Sequence, residues 1–405
     1  MSPVRSTAAG SIHMSPSGIA FSDGTHEVVL PESGRLWGAA LSRFGPLSNW
    51  SFASGFETVD RPDLALHSVI ETMAVGAAVE ITFPNVAFAD RVVALLSGAW
   101  PASTPCRHFT QESATDLARE CGLTVDGVVE HRVEPADRRT GAALLGERLD
   151  DVESFTLRCR LTRRDAIPEP TVFAEAVDYS TLFERGDGTC HSREIALLNG
   201  HERVVEVAPA ADMTHWLSDL GHRMTVVDRA IPSRSRRWAQ RVVVGDLDVD
   251  DWAASIEGGA DAVLLGNVIE HVADPVAALR AAARCLDRSP GADPVVVVSV
   301  PNVAHADVRI ALACGRWIHR DTGILDRTHR HFITADRLEE VGAAAGLDVV
   351  ERLSTRVPRG KSVNAIDSDL VERSTAVSPP HAVVELVDSD PDADVHVHTW
   401  SFRPR

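Results

Sequence analysis

Two groups of residues in this sequence have types and spacings suited to chemistry. The first group ends at Asp228. Residues 203–228, RVVEVAPAADMTHWLSDLGHRMTVVD, read as strand, turn, helix, strand and acid. A carboxylate at the tip of the second strand of a βαβ unit can accept both hydroxyl protons of a ribose. The turn, residues 208–212, opens a helix, so N–H groups point at whatever lies there. The second group is Glu270, His271, His305, Asp326, His329 and His331, scattered through the C-terminal half. Histidine exchanges a proton near neutral pH, and carboxylates orient it or share the charge.

The elements that must position these residues alternate regularly. Val204, Val205 and Val207 form an apolar strand interrupted by Glu206, and Gly221 stops the helix after Met213. RWAQRVVVGDLD gives a third strand ending at Gly245-Asp246. DAVLLGNVIEHV gives a fourth strand and its exit. DPVAALRAAARCL predicts a helix with Asp274 as N-cap and Pro275 in the first turn. PVVVVSVPNVAHADVR carries a fifth strand, TADRLEEVGAAAGL a helix capped by Thr334, and GLDVVERLS a sixth strand. DVHVHTWSF alternates and reads as the last strand.

An internal repeat precedes this unit. Residues 84–90, PNVAFAD, return as 301–307, PNVAHAD. The match runs on through Leu95/Leu312 and Gly98/Gly315 to Trp100/Trp317. It resumes at Arg107-His108-Phe109 against Arg330-His331-Phe332, and upstream Glu57 parallels Glu270. A repeat that keeps order and spacing over such a length marks a copied fold. Residues 31–49 give little pattern, Gly18–Leu30 suggests a hairpin with Asp23-Gly24 as its turn, and DAIPEP (165–170) reads as a linker.

Composition sets outer bounds. A formal charge of −18 over 405 residues excludes a general nucleic-acid binder. Lys361 is the only lysine, which discounts Schiff-base chemistry. The six cysteines hold no CxxC pair, so neither a disulfide framework nor a zinc site is expected. No apolar run reaches bilayer length and the N-terminus lacks a secretory h-region. A soluble, cytoplasmic chain is the expectation.

The stretch from Glu206 to Asp228, together with the strands and helices downstream, resembles the class I S-adenosylmethionine (SAM) dependent methyltransferases. Their first motif is an acid followed by alternate glycines. Glu206 matches the acid, while the glycine positions hold Ala208, Ala210 and Asp212. The resemblance implies an α/β fold: a doubly wound, Rossmann-like seven-stranded methyltransferase sheet with its last strand antiparallel, preceded by a truncated methyltransferase-like α/β domain. The domains expected are a disordered leader over 1–18, a degenerate structural copy over 19–165, and the methyltransferase domain over 166–405. The two copies are expected to pack as an internal pseudo-dimer, with further self-association left open.

The same resemblance implies SAM as cofactor. Asp228 would hold the ribose hydroxyls and Asp246 the adenine amino group, with Leu247 on the ring face. Gly266 and Asn267 would pass the methyl-donor end. For Asp246 turn chemistry is the competing reading, and for Asn267 a plain loop. The run NVIEHV is similar to the EVxEHV segment of ubiquinone-biosynthesis O-methyltransferases, some of which bind a divalent ion. Here Asn267 stands at the earlier acid position and an oxygen-rich site needs several carboxylates, so no metal is assigned. Glu270 and His271 would instead cap the next helix and line the cleft. His305, His271, His329 and Asp326 are the catalytic candidates, because they occur only in the second copy; His331 has a counterpart in His108 and fits a structural role. The runs PNVAHADVR and DTGILDRTH resemble bacterial methyltransferases associated with glycosyltransferases. The implied activity is O-methyl transfer to a small hydroxylated acceptor, a sugar, glycoside or secondary metabolite, without nucleic-acid or membrane partners. An inactive scaffold, or a SAM fold with non-methyl chemistry, is the alternative that the altered glycines leave open.

Overall fold

The computed structural model describes residues 9–15, 18–23, 27–30, 34–42, 44, 47–59, 61–100, 107–136, 138–146, 149–162, 186–209, 212–256, 259–362 and 379–405. The expected linker 165–170 lies outside these residues.

Two seven-stranded sheets carry the chain. The first contains β1 (Ala9–Ser15), β2 (Gly18–Ser22), β3 (Glu27–Val29), β4 (Leu47–Phe52), β5 (Met73–Pro84), β6 (Thr124–Arg132) and β7 (Val152–Arg160), in the order β3-β2-β1-β4-β5-β7-β6. The second contains β8 (Arg203–Val207), β9 (Arg223–Asp228), β10 (Arg241–Val244), β11 (Ala262–Gly266), β12 (Val295–Pro301), β13 (Leu347–Arg356) and β14 (Val395–Pro404), in the order β10-β9-β8-β11-β12-β14-β13. The spatial order is the same in both. In the second sheet β8 to β12 run parallel and β14 lies antiparallel between β12 and β13. This is the doubly wound arrangement that the alternating pattern implies.

The first sheet keeps the β4-β5-β7-β6 half of that plan and changes the other half. β1 and β4 are parallel, but β2 folds back on β1 and β3 on β2, both antiparallel. A meander therefore replaces the strand–helix–strand crossovers that would build a nucleotide crevice. The expected leader over 1–18 needs correction, since Ala9–Ser15 is β1. Ile12 in this strand is fully buried. Residues 18–30 do form the expected hairpin; Gly24 of its turn lies outside the described residues.

Local sequence explains the element ends. Asp274 Oδ1 accepts from the Ala277 amide at 3.0 Å with Pro275 following, a side-chain cap that satisfies an orphan donor. Thr334 caps its helix by accepting from Arg337 N (3.3 Å), and Thr110 does so from Ser113 N (3.2 Å). Val295–Val298 are fully or almost fully buried, as expected for a parallel strand covered on both faces. A helix over Arg138–Leu145 lies between β6 and β7; it packs on the Ala89–Leu96 helix, and Gly141 and Leu145 are buried.

The two units meet through repeat-equivalent elements. The Ala89–Leu96 helix packs against Ala306–Ala313, its counterpart in the repeat. Trp100 and Trp317, equivalent in the sequence match, stack with ring centroids 5.4 Å apart at an interplanar angle of 8°. Contact between equivalent residues is the mark of an isologous interface, here built within one chain. Val86, Val92, Leu95, Val303, Val308 and Leu312 bury one apolar cluster across it. Among the described residues, no helix is long and apolar enough to cross a membrane.

Candidate active site

The parallel register brings four loops to one edge of the second sheet. Val207 pairs with Val227, Asp228 with Val244, and Leu264 with Glu206. The chain leaving β8, β9, β10 and β11 therefore carries Ala208, Asp228, Asp246 and Asn267 to a common rim. Between β8 and β11 the strand order reverses, which opens the crevice where ligands of such sheets lie.

Both lips of that crevice hold unusual backbone. Ala208 (φ 50°) and Asn267 (φ 53°) are the non-glycine residues with positive φ among those described. For alanine this conformation costs roughly 1–2 kcal/mol. Ala208 thus keeps the left-handed turn that glycine makes in the resembled motif, and its amide donates to Val227 O at 2.7 Å. Ala210 lies outside the described residues. Asp212, at the start of the Met213–Asp219 helix, pairs with Arg234 (3.0 Å), so its charge has a cation beside it instead of facing the crevice uncompensated. Both side chains are exposed, and the pair adds little stability.

The two rim acids differ. Asp228 accepts a long bond from Ala230 N (3.4 Å), and burial raises its pKa above the ordinary carboxylate value, with Asp246 adding to the effect. Asp246 accepts from Asp248 N at 3.0 Å, and its own amide donates to Asp250 Oδ2 at 2.8 Å, so part of its carboxylate serves the turn. Leu247 packs half-buried against the sheet core. These features fit a SAM molecule: a tight turn at the crevice, a half-buried acid at the β9 tip and an apolar side chain after β10.

Glu206 lies beneath the rim. It is buried, accepts from Thr214 Oγ1 at 2.6 Å, and has its pKa pushed up to about 8 by burial, opposed by the Thr214 bond and reinforced by Glu194. Glu194 itself accepts from Ser299 Oγ and meets His191 Nδ1 at 3.0 Å. A Cβ on Gly266 would come within 2.8 Å of Glu194 Oε1, which is why glycine sits there. Asn267 donates from its backbone to Ser299 O (3.0 Å), and its amide bonds Cys190, whose thiol burial pushes up to about 12. Sequence reasoning missed Glu194 and His191; their three-residue spacing in CHSREIALL was the available signal, because it puts them on one helix face.

A second constellation assembles at the β11 exit. His271 Nδ1 lies 3.2 Å from Thr328 Oγ1, and that hydroxyl donates to Asp326 Oδ1 at 2.7 Å. The hydroxyl proton being committed, His271 donates from Nδ1 and keeps its lone pair on Nε2. His329 Nδ1 donates to Ile324 O at 3.0 Å and likewise keeps its Nε2 lone pair, 4.0 Å from Glu270 Oε1. The two imidazole rings sit 4.7 Å apart. Burial lowers both histidine pKa values to about 3, so both rings are neutral. Burial raises Glu270 to about 8, with Asp326 reinforcing it. The Arg330 and His331 amides donate to Glu270 O (2.7 and 3.0 Å), locking this loop to the β11 exit. His331 donates from Nε2 to Val272 O at 3.0 Å, a structural bond. Arg107, from the first unit, donates to the carbonyls of Arg327 (2.5 Å) and His329 (2.7 Å); nothing in its local sequence announced that reach.

His305 stands apart. It is fully buried; Nδ1 accepts from Asp307 N (3.2 Å) and Nε2 donates to Val357 O (2.8 Å). Both nitrogens are engaged in capping a helix and anchoring a loop, so the expectation of a catalytic His305 is revised: no lone pair remains for a substrate.

Residues 189–352, about two-fifths of the chain, match the model of a family described as a methyltransferase domain. No curated protein matches the chain. Similar solved structures include a 1,6-didemethyltoxoflavin N1-methyltransferase from Burkholderia thailandensis (18% identity, 54% of this chain and 79% of that one, TM-score 0.32). Another is the CcbJ methyltransferase of Streptomyces caelestis (15%, 55% and 98%, 0.34), and a third the mitomycin 7-O-methyltransferase MmcR (16%, 53% and 53%, 0.32). The second sheet and its helices form a class I SAM-dependent methyltransferase domain. Residues 189–352 thus carry a methyltransferase domain, and a unit with the same strand order precedes it.

Proposed function

We propose that this enzyme transfers a methyl group from SAM to a hydroxyl of a small acceptor: a sugar, a glycoside or another secondary metabolite. The observation that carries this reading is the left-handed turn at Ala208, placed beside Asp228 at the switch point of the sheet. It retains the conformation of a glycine motif without the glycine.

When bound, SAM would supply an electrophilic methyl group on a positively charged sulfur. Asp228 would accept from the ribose hydroxyls, which would stabilise a carboxylate that burial otherwise disfavours. Asp246 and Leu247 would bracket the adenine, and Ala208 would border the amino-acid end, where the Arg234–Asp212 pair would balance charge. Gly266 and Asn267 border the reacting centre. His271, with Nδ1 engaged by Thr328 and Asp326, would present Nε2 to the acceptor hydroxyl and accept its proton. His329 and Asp326 fix that arrangement. Most of the acceleration comes from holding the oxygen in line with the S–C bond.

Calorimetric titration with S-adenosylhomocysteine tests the cofactor half. Micromolar binding is expected, weakened about tenfold or more by Asp228→Ala, the loss of a charge-assisted hydrogen-bond pair. An absence of binding at millimolar ligand would sink the reading.

A further inference from the structure

Three polar groups on one face of the second sheet have no partner in the fold. Thr399 is fully buried and Thr355 half-buried, and neither Oγ1 has a hydrogen-bond partner among the described residues. The third is Nε of Arg193, buried on a half-buried side chain and likewise unpartnered there. No acid among the described residues pairs with that guanidinium. Buried polar groups left in this way are costly and call for an explanation.

The three groups share one strip. Thr399 pairs with Ser299 of β12 and Leu353 of β13. Its side chain therefore shares the face on which Ser299 Oγ donates to Glu194 of the Cys190–Leu198 helix. Thr355 pairs with Val397, two residues along, so it lies on the same face one step nearer the rim. Its diagonal spacing from Thr399 is about 7–8 Å. The Cys190–Leu198 helix packs across β12, β14 and β13. With about 3.6 residues per turn, His191 and Arg193 fall on opposite flanks of Glu194. The His191 ring meets Trp216 of the Met213–Asp219 helix, centroids 5.9 Å apart, so Arg193 faces the β14–β13 side. The strip thus runs from half-exposed Arg193 and Thr355 inward to buried Thr399.

We propose that Arg193, Thr355 and Thr399 bind a carboxylate, and that the methyl acceptor is a hydroxylated carboxylic acid. The second half rests on the methyl-transfer reading. A guanidinium stays charged at any working pH and presents a planar fork of donors that matches a carboxylate. The two hydroxyls supply further donors. One guanidinium balances one negative charge, which suits a carboxylate better than a phosphate monoester carrying nearly two. The strip also adjoins the crevice. Ser299, the β12 partner of Thr399, accepts through its carbonyl from the Asn267 amide at the crevice lip, at 3.0 Å. A carboxylate held beside Ser299 brings the rest of a small acceptor toward the methyl-donor end.

The test is ligand-observed NMR titration on the full chain saturated with S-adenosylhomocysteine. Two matched pairs serve as probes: D-glucuronate with D-glucose, and 3-hydroxybenzoate with 3-hydroxybenzyl alcohol. Within each pair the acid carries a carboxylate where its mate carries CH₂OH. In at least one pair the acid is expected to bind about tenfold or more tightly than its mate. Arg193→Met should abolish that preference while S-adenosylhomocysteine affinity is retained, which certifies the fold. Thr399→Val keeps the side-chain shape and should weaken acid binding by about threefold or more; it carries the test if Arg193→Met does not fold. No preference for either acid, or a preference that survives both substitutions, overturns the carboxylate site and leaves the cofactor reading intact. If S-adenosylhomocysteine does not bind, the same titrations are read on the ligand-free chain. An acid preference there that Arg193→Met removes keeps the site and takes away its assignment to a methyl acceptor.

Discussion

Ala208 holds a backbone conformation that its own methyl group disfavours. Replacing it with glycine removes that strain and adds some chain entropy to the unfolded state; the first effect is the larger. Ala208→Gly is therefore expected to raise stability by about 0.5–1 kcal/mol, read as a higher urea midpoint at constant slope. A lowered midpoint would show that the turn is not strained. Glu206 gives a pH signature of known sign. Its folded pKa of about 8 exceeds the ordinary value of 4.5, so between those values the folded protein holds the extra proton and stability falls as pH rises. His271 and His329 act oppositely but lower: with folded values of about 3 against 6.5 unfolded, they add stability as pH rises toward 6.5 and nothing further above it. The interval from about pH 6.5 to 8 thus isolates the buried carboxyls. Ligand-free protein should lose stability there, and Glu206→Gln should remove about 1–2 kcal/mol of that loss. An unchanged slope in the variant would place the titration elsewhere.

At the scale of elements, the helix caps repeat between the two units. Thr110 and Thr334 each accept from the third helical amide, at 3.2 and 3.3 Å. Thr334→Ala should cost about 1 kcal/mol, and Thr110→Ala about the same, since each leaves one orphan donor. A thermal or denaturant melt that moved for only one of them would show that the units differ in cooperativity. These caps were legible in the sequence because the signal is local: a threonine before an amphipathic run. So was the second sheet, whose valine-rich strands and intervening helices alternate at regular lengths. The short Arg138–Leu145 helix was not, because its apolar face is defined by the Ala89–Leu96 helix it packs on, not by its own eight residues. The candidate site was legible in part. Glu270, His271, Asp326 and His329 could be picked out by type, but their meeting joins two chain segments that only the fold relates. His305 misled for the same reason. Its position after β12 suited a base, yet its partners Val357 and Asp307 come from tertiary packing and a helix start. Glu194 and Arg107 gave weaker local signals still, and Arg107 reaches its partners across the interface between units.

The whole molecule resembles a dimer written into one chain, and its asymmetry separates the tasks of the two units. The first unit keeps the strand order but folds β2 and β3 as a meander, so it lacks the parallel β8–β9–β10 frame from which the rim acids emerge. What it retains is the interface: the stacked Trp100 and Trp317, and Arg107 beneath the loop that carries Asp326, Thr328 and His329. The equivalence runs deep. Arg107 N donates to Glu57 O as Arg330 N donates to Glu270 O, so the same backbone contact recurs in both units. In the first unit, however, the arginine side chain turns across to the neighbour's carbonyls. Hydrogen bonds to a charged donor contribute roughly 1.5–3 kcal/mol each, and their removal leaves buried carbonyls unsatisfied. Arg107→Met should therefore release the 324–331 loop without touching the nucleoside rim. The expected result is faster amide hydrogen exchange across 324–331, with S-adenosylhomocysteine affinity within about twofold of the parent, because the rim residues lie outside the contacts removed. If exchange in the loop is unchanged, the first unit only covers an apolar face. If it rises while nucleoside binding holds, the first unit positions the acceptor side of the site, a task that a second protomer performs in proteins that assemble as true dimers.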